Sequence, residues 1–376
     1  MRGTVMLRAT PWLVLALATG AGCGSKSAPP AAAGPTGPSA IGTAYYTADL
    51  PRLSDYSLFD IEPAALIPRS GVVPYDVNTP LFADYSVKER ALYVPKGQRA
   101  TYHPSEPFDF PIGTIVSKTF SSVDDARAPK ATRRIETRLL VRAPDGWLAN
   151  TYRWNDAQTD AELLVSGEIV PLSFVGPDGA PLKGNYLVPN ANQCKKCHEN
   201  SDMVMGVIGL QARHLNRDFV YPDGTTENQL AHWARVGMIE GAEAPSVAPR
   251  LPVWNDPATG SVDERTRAWL DTNCAHCHSE KGTSRTTGLT LTYFETDPYK
   301  LGLCKPPVAA GKGTGGFSFD IVPGSPQTSI LVYRLRSTTT DEQMPELGRS
   351  IVDAEAVSLV ESWIGGLGGT CTAGGM

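Results

Sequence analysis

The sequence predicts an α+β, multidomain fold with a β-rich, sandwich-like domain first, an irregular region next and a helical domain last. Residues 45–185 contain short runs rich in β-branched and aromatic side chains, separated by turn residues. Residues 251–376 contain helix-start and helix-stop signals instead. Neither pattern is regular in residues 186–250. A chain of 376 residues is long enough for two or three domains with cores of their own.

The composition narrows the classes of function. Hydrophobic residues make up 41% of the chain and charged residues 19%, which is typical of a folded globular protein. The formal net charge is −5, so a nucleic-acid partner has no electrostatic support. The chain contains 7 Cys and 6 His, and the spacing of these residues is its most informative feature.

Residues 1–23 are predicted to be an export signal. Arg2 and Arg8 give a basic start, and the apolar stretch that follows, residues 9–22, is too short to span a bilayer. Small residues then precede Cys23, as in a lipoprotein signal, although Gly20 stands where Leu is usual. We predict a lipid on Cys23, with plain cleavage nearby as the alternative. The mature protein is then periplasmic or an outer-membrane lipoprotein of a bacterial cell envelope.

Residues 24–44 are predicted to be a disordered tether. They are small and Pro-rich and contain no aromatic residue, so they cannot bury a core. Such a tether separates the folded part of the protein from a membrane that holds the lipid anchor.

The predicted β-rich domain, residues 45–185, contains several strand candidates. Asp145 and Gly146 form a typical hairpin turn between two of them. Residues 166–182 add another strand pair. No metal cluster or Ser-His-Asp order stands out, so we interpret this domain as a scaffold or docking domain. The clearest strand candidates are GTIVSKTF (113–120), RRIETRLLVR (133–142) and GWLANTYRW (146–154).

Two cysteine pairs are each followed directly by histidine, in QCKKCH (193–198) and NCAHCH (273–278). In C-x-x-C-H, two thiols add across the vinyl groups of haem and the histidine becomes the proximal iron ligand. Zinc has no use for a histidine at this offset, although zinc shared between the pairs is the alternative. By chance one such motif is expected on the order of 0.002 times in this composition. We therefore predict two covalently bound haem c groups, with thioethers at Cys194, Cys197, Cys274 and Cys277 and proximal ligands His198 and His278.

The remaining cysteines and one histidine have simpler interpretations. Cys304 and Cys371 are left over in an oxidising compartment, where a disulfide between them is possible; two free thiols are the alternative. His276, inside the second motif, is interpreted as a solvent-facing spacer.

Helix signals flank the second motif. Ser261 and Glu264 form a capping box that opens a helix leading into NCAHCH. Asp353 is placed to cap a last helix, which Gly365 and Gly366 end. The apolar residues of this last helix repeat at helical spacing: Val357, Val360, Trp363 and Ile364.

Met344, followed by Pro345, is predicted to be the distal iron ligand of the second haem. A thioether is a soft ligand that suits haem iron, and Pro stiffens the loop that presents it. The alternative is a buried core methionine. Helix, C-x-x-C-H, long loop, Met-Pro and helix is the order of a class I cytochrome c, so residues 251–376 are predicted to be such an α domain, with residues 283–325 as an inserted loop.

The distal ligand of the first haem is left open. Met238 follows a predicted helix, residues 227–236, and is the tentative choice. His214 is the alternative and would give bis-histidine ligation, while Met203 and Met205 are close enough to the motif simply to pack. Arginines 133, 134 and 138 are interpreted as a solvated strand face rather than as contacts to a haem propionate.

Several stretches resemble a family of exported bacterial diheme c-type cytochromes, over about residues 51–367. The resemblance implies electron transfer and two covalent haems at the motifs above, and it implies no substrate. These stretches are PLFADYSVKERALYVPKG, FPIGTIVSKTF, IETRLLVR, YRWN, QCKKCH with LNRDF, and NCAHCH with GLCK.

We therefore expect an electron carrier of the cell envelope, with a redox protein as its partner, rather than an enzyme with its own substrate. A diheme oxidoreductase or peroxidase-like enzyme is the first alternative and needs an open coordination site at the first haem. A surface-anchored docking protein for a partner redox enzyme is the second.

Overall fold

The protein is described here from a computed structural model, which covers residues 49–308 and 310–372. All of these residues belong to one compact unit. The predicted signal, Cys23 and the predicted tether lie outside the described residues. No helix in the described part of the chain is long and apolar enough to cross a membrane.

A six-stranded antiparallel sheet dominates the fold, in the order β3-β4-β6-β7-β8-β9. Four two-stranded sheets surround it in the described chain: β1-β2, β10-β11, β12-β13 and the parallel pair β5-β14. The strands are β1 Phe59–Glu62, β2 Ala65–Pro68, β3 Val72–Tyr75, β4 Val87–Tyr93, β5 Ala100–Thr101, β6 Ile115–Ser122, β7 Arg133–Ala143, β8 Gly146–Trp154, β9 Ala161–Leu163, β10 Glu168–Val175, β11 Pro181–Val188, β12 Asp218–Val220, β13 Thr226–Asn228 and β14 Ile239–Glu240.

The two faces of the large sheet differ because side chains alternate along each strand. On one face, Leu139 and Tyr152 pack against Tyr56 in a buried apolar cluster. On the other face, Leu140 and Ala149 form part of the wall of a cavity. The turn between β7 and β8 is the one predicted from Asp145-Gly146, and Gly146 has a φ of 138° that favours glycine.

The helices are short and follow the strands. β11 runs almost directly into α1, where Asn190 caps the helix and accepts a hydrogen bond from the Gln193 amide at 2.9 Å. The first motif therefore lies on a helix, whereas the sequence indicated only an extended approach to it. The helices are α1 Ala191–His198, α2 Ala212–Leu215, α3 Gln229–Arg235, α4 Val262–Asn273, α5 Ile330–Arg336 and α6 Ala354–Gly366, with 3-10 turns at 53–56, 257–259, 285–287, 311–314 and 326–328.

Helices α4, α5 and α6 share one apolar cluster, which includes Trp269, Leu335 and Val360. α4 begins at the predicted cap: the Glu264 amide donates to Ser261 Oγ at 3.2 Å. α6 begins after Asp353, whose carboxylate accepts the Ala356 amide at 3.2 Å. Caps are local signals, which is why the sequence locates both helix starts.

Cys304 and Cys371 form a disulfide, with their Cα atoms 5.1 Å apart. The bond ties the segment after the second motif to the chain beyond α6.

The predicted fold class is wrong. Strands make up 27% and helices 21% of the structure, and a six-stranded sheet is its main element. This does not fit a class I cytochrome c α domain at 251–376, where the three helices are short and the chain between α4 and α5 consists of irregular segments and 3-10 turns. Within the described residues, each sheet beside the large one has two strands, so the predicted sandwich-like pair of large sheets is not formed there.

The core also runs across the predicted division of the chain. One apolar cluster combines Tyr75, Leu92 and Val116 from the sheet with Leu210 and Trp233 from the region after α1. Hydrophobic periodicity identifies elements one at a time, and so it could not show that distant segments share this core.

Candidate functional site

The two C-x-x-C-H motifs lie side by side, although their first cysteines are 274 − 194 = 80 residues apart. The Cys277 thiol lies 3.7 Å from the Lys196 carbonyl oxygen, inside the first motif. Thr283 Oγ1, five residues after the second motif, lies 3.5 Å from the same Lys196 carbonyl oxygen. Backbone contacts continue past the motifs, because the Ser201 amide donates to the Lys281 carbonyl at 2.8 Å.

All four motif cysteines are free thiols. Burial raises the pKa of the Cys194 thiol, and it raises the pKa of Cys274 to about 12. The hydrogen bond from Cys197 lowers the pKa of Cys277 and, with it, the cost of forming a thiolate there. A thiolate is the nucleophilic form of cysteine, so burial keeps Cys194 and Cys274 in the less reactive thiol form.

The histidine that ends each motif is oriented through its Nδ1 atom. His198 Nδ1 lies 2.9 Å from the Gly206 carbonyl oxygen, which can only accept, so Nδ1 carries the proton and Nε2 keeps its lone pair. His278 Nδ1 lies 3.2 Å from Thr287 Oγ1. Burial lowers the pKa of each imidazole to about 4, so both are neutral at pH 7, as a metal ligand must be.

A cavity of about 220 Å³ lies beside the first motif, between the large sheet, α1 and the segment that leads into α6. Cys194, Cys197 and His198 line one side of it. Much of the remaining wall is apolar: Val77, Phe82, Val116, Leu187, Val207 and Trp269.

The two candidates for a distal ligand at the first motif are separated by the fold. His214 lines the cavity together with His198, and its Nε2 lies 3.2 Å from Asp271 Oδ1. Met238 does not line the cavity: it is 7% exposed and packs in the apolar cluster that contains Trp233. Met203, by contrast, is 81% exposed.

Asp271 contacts His214, and this contact lowers the pKa of the Asp271 carboxyl. Burial alone would raise the pKa of this carboxyl, but its hydrogen bond with His214 and the charge of Arg213 hold the pKa at about 2. The carboxylate also accepts the Tyr293 amide at 2.9 Å. His214 is therefore already hydrogen-bonded through the ring nitrogen that faces Asp271.

Met344 lies in the turn between α5 and α6 and is half-buried. Its backbone amide donates to the Arg334 carbonyl at 3.0 Å, and its carbonyl accepts from Arg349 Nε at 3.0 Å. Met344 is not among the residues that line the cavity at the first motif, whereas Pro345, Leu347 and Arg349 are.

His276 is a site residue that sequence reasoning missed. It is not a solvent-facing spacer: it lines the cavity of the first motif, and its Nδ1 atom is buried without a hydrogen-bond partner. Its position inside the second motif was visible in the sequence. The contact between the motifs, which turns it toward the first one, was not.

The cavity wall is also strongly charged. Its cations are Arg90, Lys118, Arg138 and Arg349, and Asp353 is the single carboxyl among the described residues that line it. Of the arginines interpreted as a solvated face, Arg133 is exposed, but Arg138 faces the cavity and Arg134 stacks on Trp154 at 4.7 Å. The interpretation is wrong for Arg138 and Arg134.

Among residues 49–308 and 310–372, no group of three or more His, Cys, Asp or Glu is arranged to hold a metal ion by itself. Comparisons with protein-family models, curated proteins and solved structures found no match to this chain.

Proposed function

We propose that the protein binds two covalent haem c groups and passes electrons between them and a redox partner in the bacterial cell envelope. The observation that carries the proposal is the contact between the motifs, in which the Cys277 thiol lies 3.7 Å from the Lys196 carbonyl oxygen. Two attachment sites that touch are suited to exchange electrons, since each haem supplies a one-electron redox centre.

The residues at the first motif fit such a group. The cavity offers apolar walls, two thiols and a neutral imidazole with a free Nε2 atom, and its cations match the carboxylates of a haem. A covalently anchored haem needs only one protein imidazole on its proximal side, so a cluster of three ligating side chains is not required.

The chain's own residues would hold and tune these groups. Gly206 and Thr287 orient the two proximal imidazoles and raise their basicity as ligands. The apolar wall around the first site keeps water away from it. If Met344 is the distal ligand at the second site, as the sequence predicts, its thioether raises the reduction potential there.

A second candidate function is favoured by one observation. Met238 is packed in the core, and His214 is tied to Asp271, so neither preferred distal ligand is free beside His198. An open position at the first site would make the protein a diheme oxidoreductase or peroxidase-like enzyme. Spectra of the reduced protein with CO and of the oxidised protein with cyanide distinguish the two functions: a spectral change supports the enzyme, and two unreactive haems support the carrier.

The central test is to count haems in the exported full-length chain. The wild type should contain two haems per chain in a pyridine haemochrome assay and stain for haem on a denaturing gel. Replacing Cys194 and Cys197 with Ala should remove one haem, and replacing Cys274 and Cys277 should remove the other.

The matched control replaces the disulfide pair, Cys304 and Cys371, with Ser and should keep both haems. A wild-type protein without haem stain, or one that contains zinc bound by the same four cysteines, would overturn the proposal.

The predicted lipid anchor is tested separately. Cys23→Ser should release the protein from the membrane fraction into the soluble periplasmic fraction while both haems remain. Retention in the membrane fraction would contradict anchoring at Cys23.

A further inference from the structure

A row of cations crosses three strands of the large sheet beside the first motif. Arg90 on β4 pairs directly with Lys118 on β6, and Lys118 pairs directly with Arg138 on β7. Residues directly opposite each other in antiparallel strands point to the same face. All three side chains accordingly line the same cavity.

Such a row is unfavourable by itself, because like charges placed directly opposite in a sheet repel. Two of the three cations are compensated. Arg90 Nη1 lies 2.6 Å from Asp76 Oδ1, and Arg138 binds the fully buried carboxylate of Glu136 through two nitrogens, at 2.6 and 2.9 Å.

The central cation of the row is not compensated. No carboxylate of the described chain lies within 4.0 Å of the Lys118 ammonium, and its described contact is the ring of Phe120, 4.8 Å from the ring centre. Burial, together with the charges of Arg90, Lys88 and Arg138, lowers the pKa of Lys118 well below its usual range, and the charge of Glu136 offsets this only in part. An anion beside it would reverse this effect.

The surroundings contain too few carboxylates to supply that anion. Arg349, held by the backbone carbonyls of Met344 and Ser337, adds a further cation to the cavity wall. Asp353 is the one lining carboxyl, and it already caps α6. Lys88 lies on the same face of β4 as Arg90, and the charges of Asp353 and Asp84 act on it. Asp84 already accepts hydrogen bonds from the backbone amides of Ser350 and Ile351.

The row lies close to the motif itself. The charge of Arg138 acts on the Cys194 thiol, and the charges of Lys118 and Arg138 both act on the His198 imidazole. One side of the cavity is thus apolar, another carries the attachment residues, and a third carries an unpaired cation between two arginines. This pattern suits a group that is apolar over most of its surface and ends in carboxylate.

We infer that Arg90, Lys118 and Arg138 form a carboxylate seat, and that it takes a propionate of the haem bound at the first motif. The inference rests on the proposed function. The ammonium of Lys118 supplies the charge, and the flanking arginines, already held by Asp76 and Glu136, fix its position. A cation that neutralises a propionate removes negative charge near the iron and so favours the reduced form. The seat would therefore set the first haem's potential above the value it would otherwise have.

The experiment is a potentiometric titration of the two-haem protein. Lys118→Gln should lower the midpoint potential of the first haem and leave that of the second unchanged, while Lys118→Arg should restore it. The control, Arg133→Gln, changes an exposed arginine of β7, the strand next to that of Lys118. Arg133 pairs with Asp156, and its replacement should shift neither potential.

If Lys118→Gln fails to fold, Arg90→Gln is measured in its place. Asp76, the partner of Arg90, is partly exposed and so tolerates the loss of this ion pair. Haem staining of every variant keeps the two ideas apart. If the wild type contains no haem, the proposed function is wrong. If Lys118→Gln binds two haems and the midpoint potential of the first is unchanged, only the carboxylate seat is wrong.

A diffusible carboxylate is the other source of the same chemistry. Acetate titrated into the wild type should leave the first potential unchanged if a propionate fills the seat. An acetate-dependent shift that is lost in Lys118→Gln would assign the seat to a diffusible ligand and overturn the propionate assignment.

Discussion

At the scale of single residues, one hydrogen bond decides what His198 can do. The Gly206 carbonyl takes the proton of Nδ1, which leaves the Nε2 lone pair free. Methionine 238 shows the opposite case. Its thioether has the right chemistry for iron, but it is 7% exposed in an apolar cluster and does not reach the cavity.

We therefore predict that Met238→Leu leaves the haem spectrum unchanged. The substitution nearly conserves volume, so it should cost less than about 1.5 kcal/mol of unfolding free energy, measured by denaturant unfolding. The comparison is His214→Ala, which removes a group from the cavity wall and leaves Asp271 without one of its partners. Loss of the low-spin absorbance of one haem in Met238→Leu would show that this methionine is a ligand after all.

At the scale of elements, the start of α6 couples helix capping to pH. Asp353 caps the helix, but burial raises the pKa of its carboxyl to about 6. A carboxyl whose folded pKa is raised is destabilising when ionised. Its contribution is absent below the unfolded value of about 4 and complete above pH 6, so the free energy of unfolding falls between these pH values.

Asp353→Asn should remove this fall, because Asn still accepts the Ala356 amide but carries no charge. From pH 4 to pH 7 the stability of the variant relative to wild type should rise by about 2 kcal/mol. The loss of the hydrogen bond from Trp269 Nε1 to Asp353 Oδ2 lowers the variant's stability equally at both pH values and does not change this difference. Denaturant unfolding at several pH values measures it. Parallel pH profiles for the two proteins would contradict the assignment to Asp353.

The disulfide stabilises a second element, the long segment that follows the second motif. Cys304 and Cys371 are 67 residues apart, so the bond restricts a large loop in the unfolded chain. Replacing both with Ser should lower the unfolding free energy by about 2–4 kcal/mol. Denaturant unfolding under oxidising conditions tests this, and an unchanged midpoint would mean that packing alone orders the segment.

At the scale of the whole molecule, the contact between the motifs predicts that the two proposed haem sites depend on each other. Removing the first haem with Cys194→Ala and Cys197→Ala should lower the potential of the remaining one, because water then reaches the surface that the first group covered and stabilises the oxidised iron. A potentiometric titration of the one-haem protein measures the shift. Equal potentials for the remaining haem with and without its neighbour would show that the sites are independent.

The sequence predicted what depends on neighbouring residues and missed what depends on distant ones. Ser261 with Glu264, and Asp145 with Gly146, act within a few residues, and the structure forms a helix cap and a turn there. The direction of Arg138 depends instead on its cross-strand partner and on the segment near Arg349, some 200 residues later. The position of His276 also depends on distant residues, because the contact between the motifs places it at the cavity of the first motif.

Folding buries two of the motif cysteines, and this predicts whether the proposed haem attachment comes before or after folding. Cys194 and Cys274 are each 9% exposed once the chain has folded, and the segment before α6 closes the cavity beside the first motif. If haem is joined to these sulfurs as proposed, the attachment machinery needs an open chain, so attachment should precede final packing. Refolded apoprotein should accept haem at these cysteines more slowly than unfolded chain does, in a time course followed by haem stain; equal rates would contradict this order.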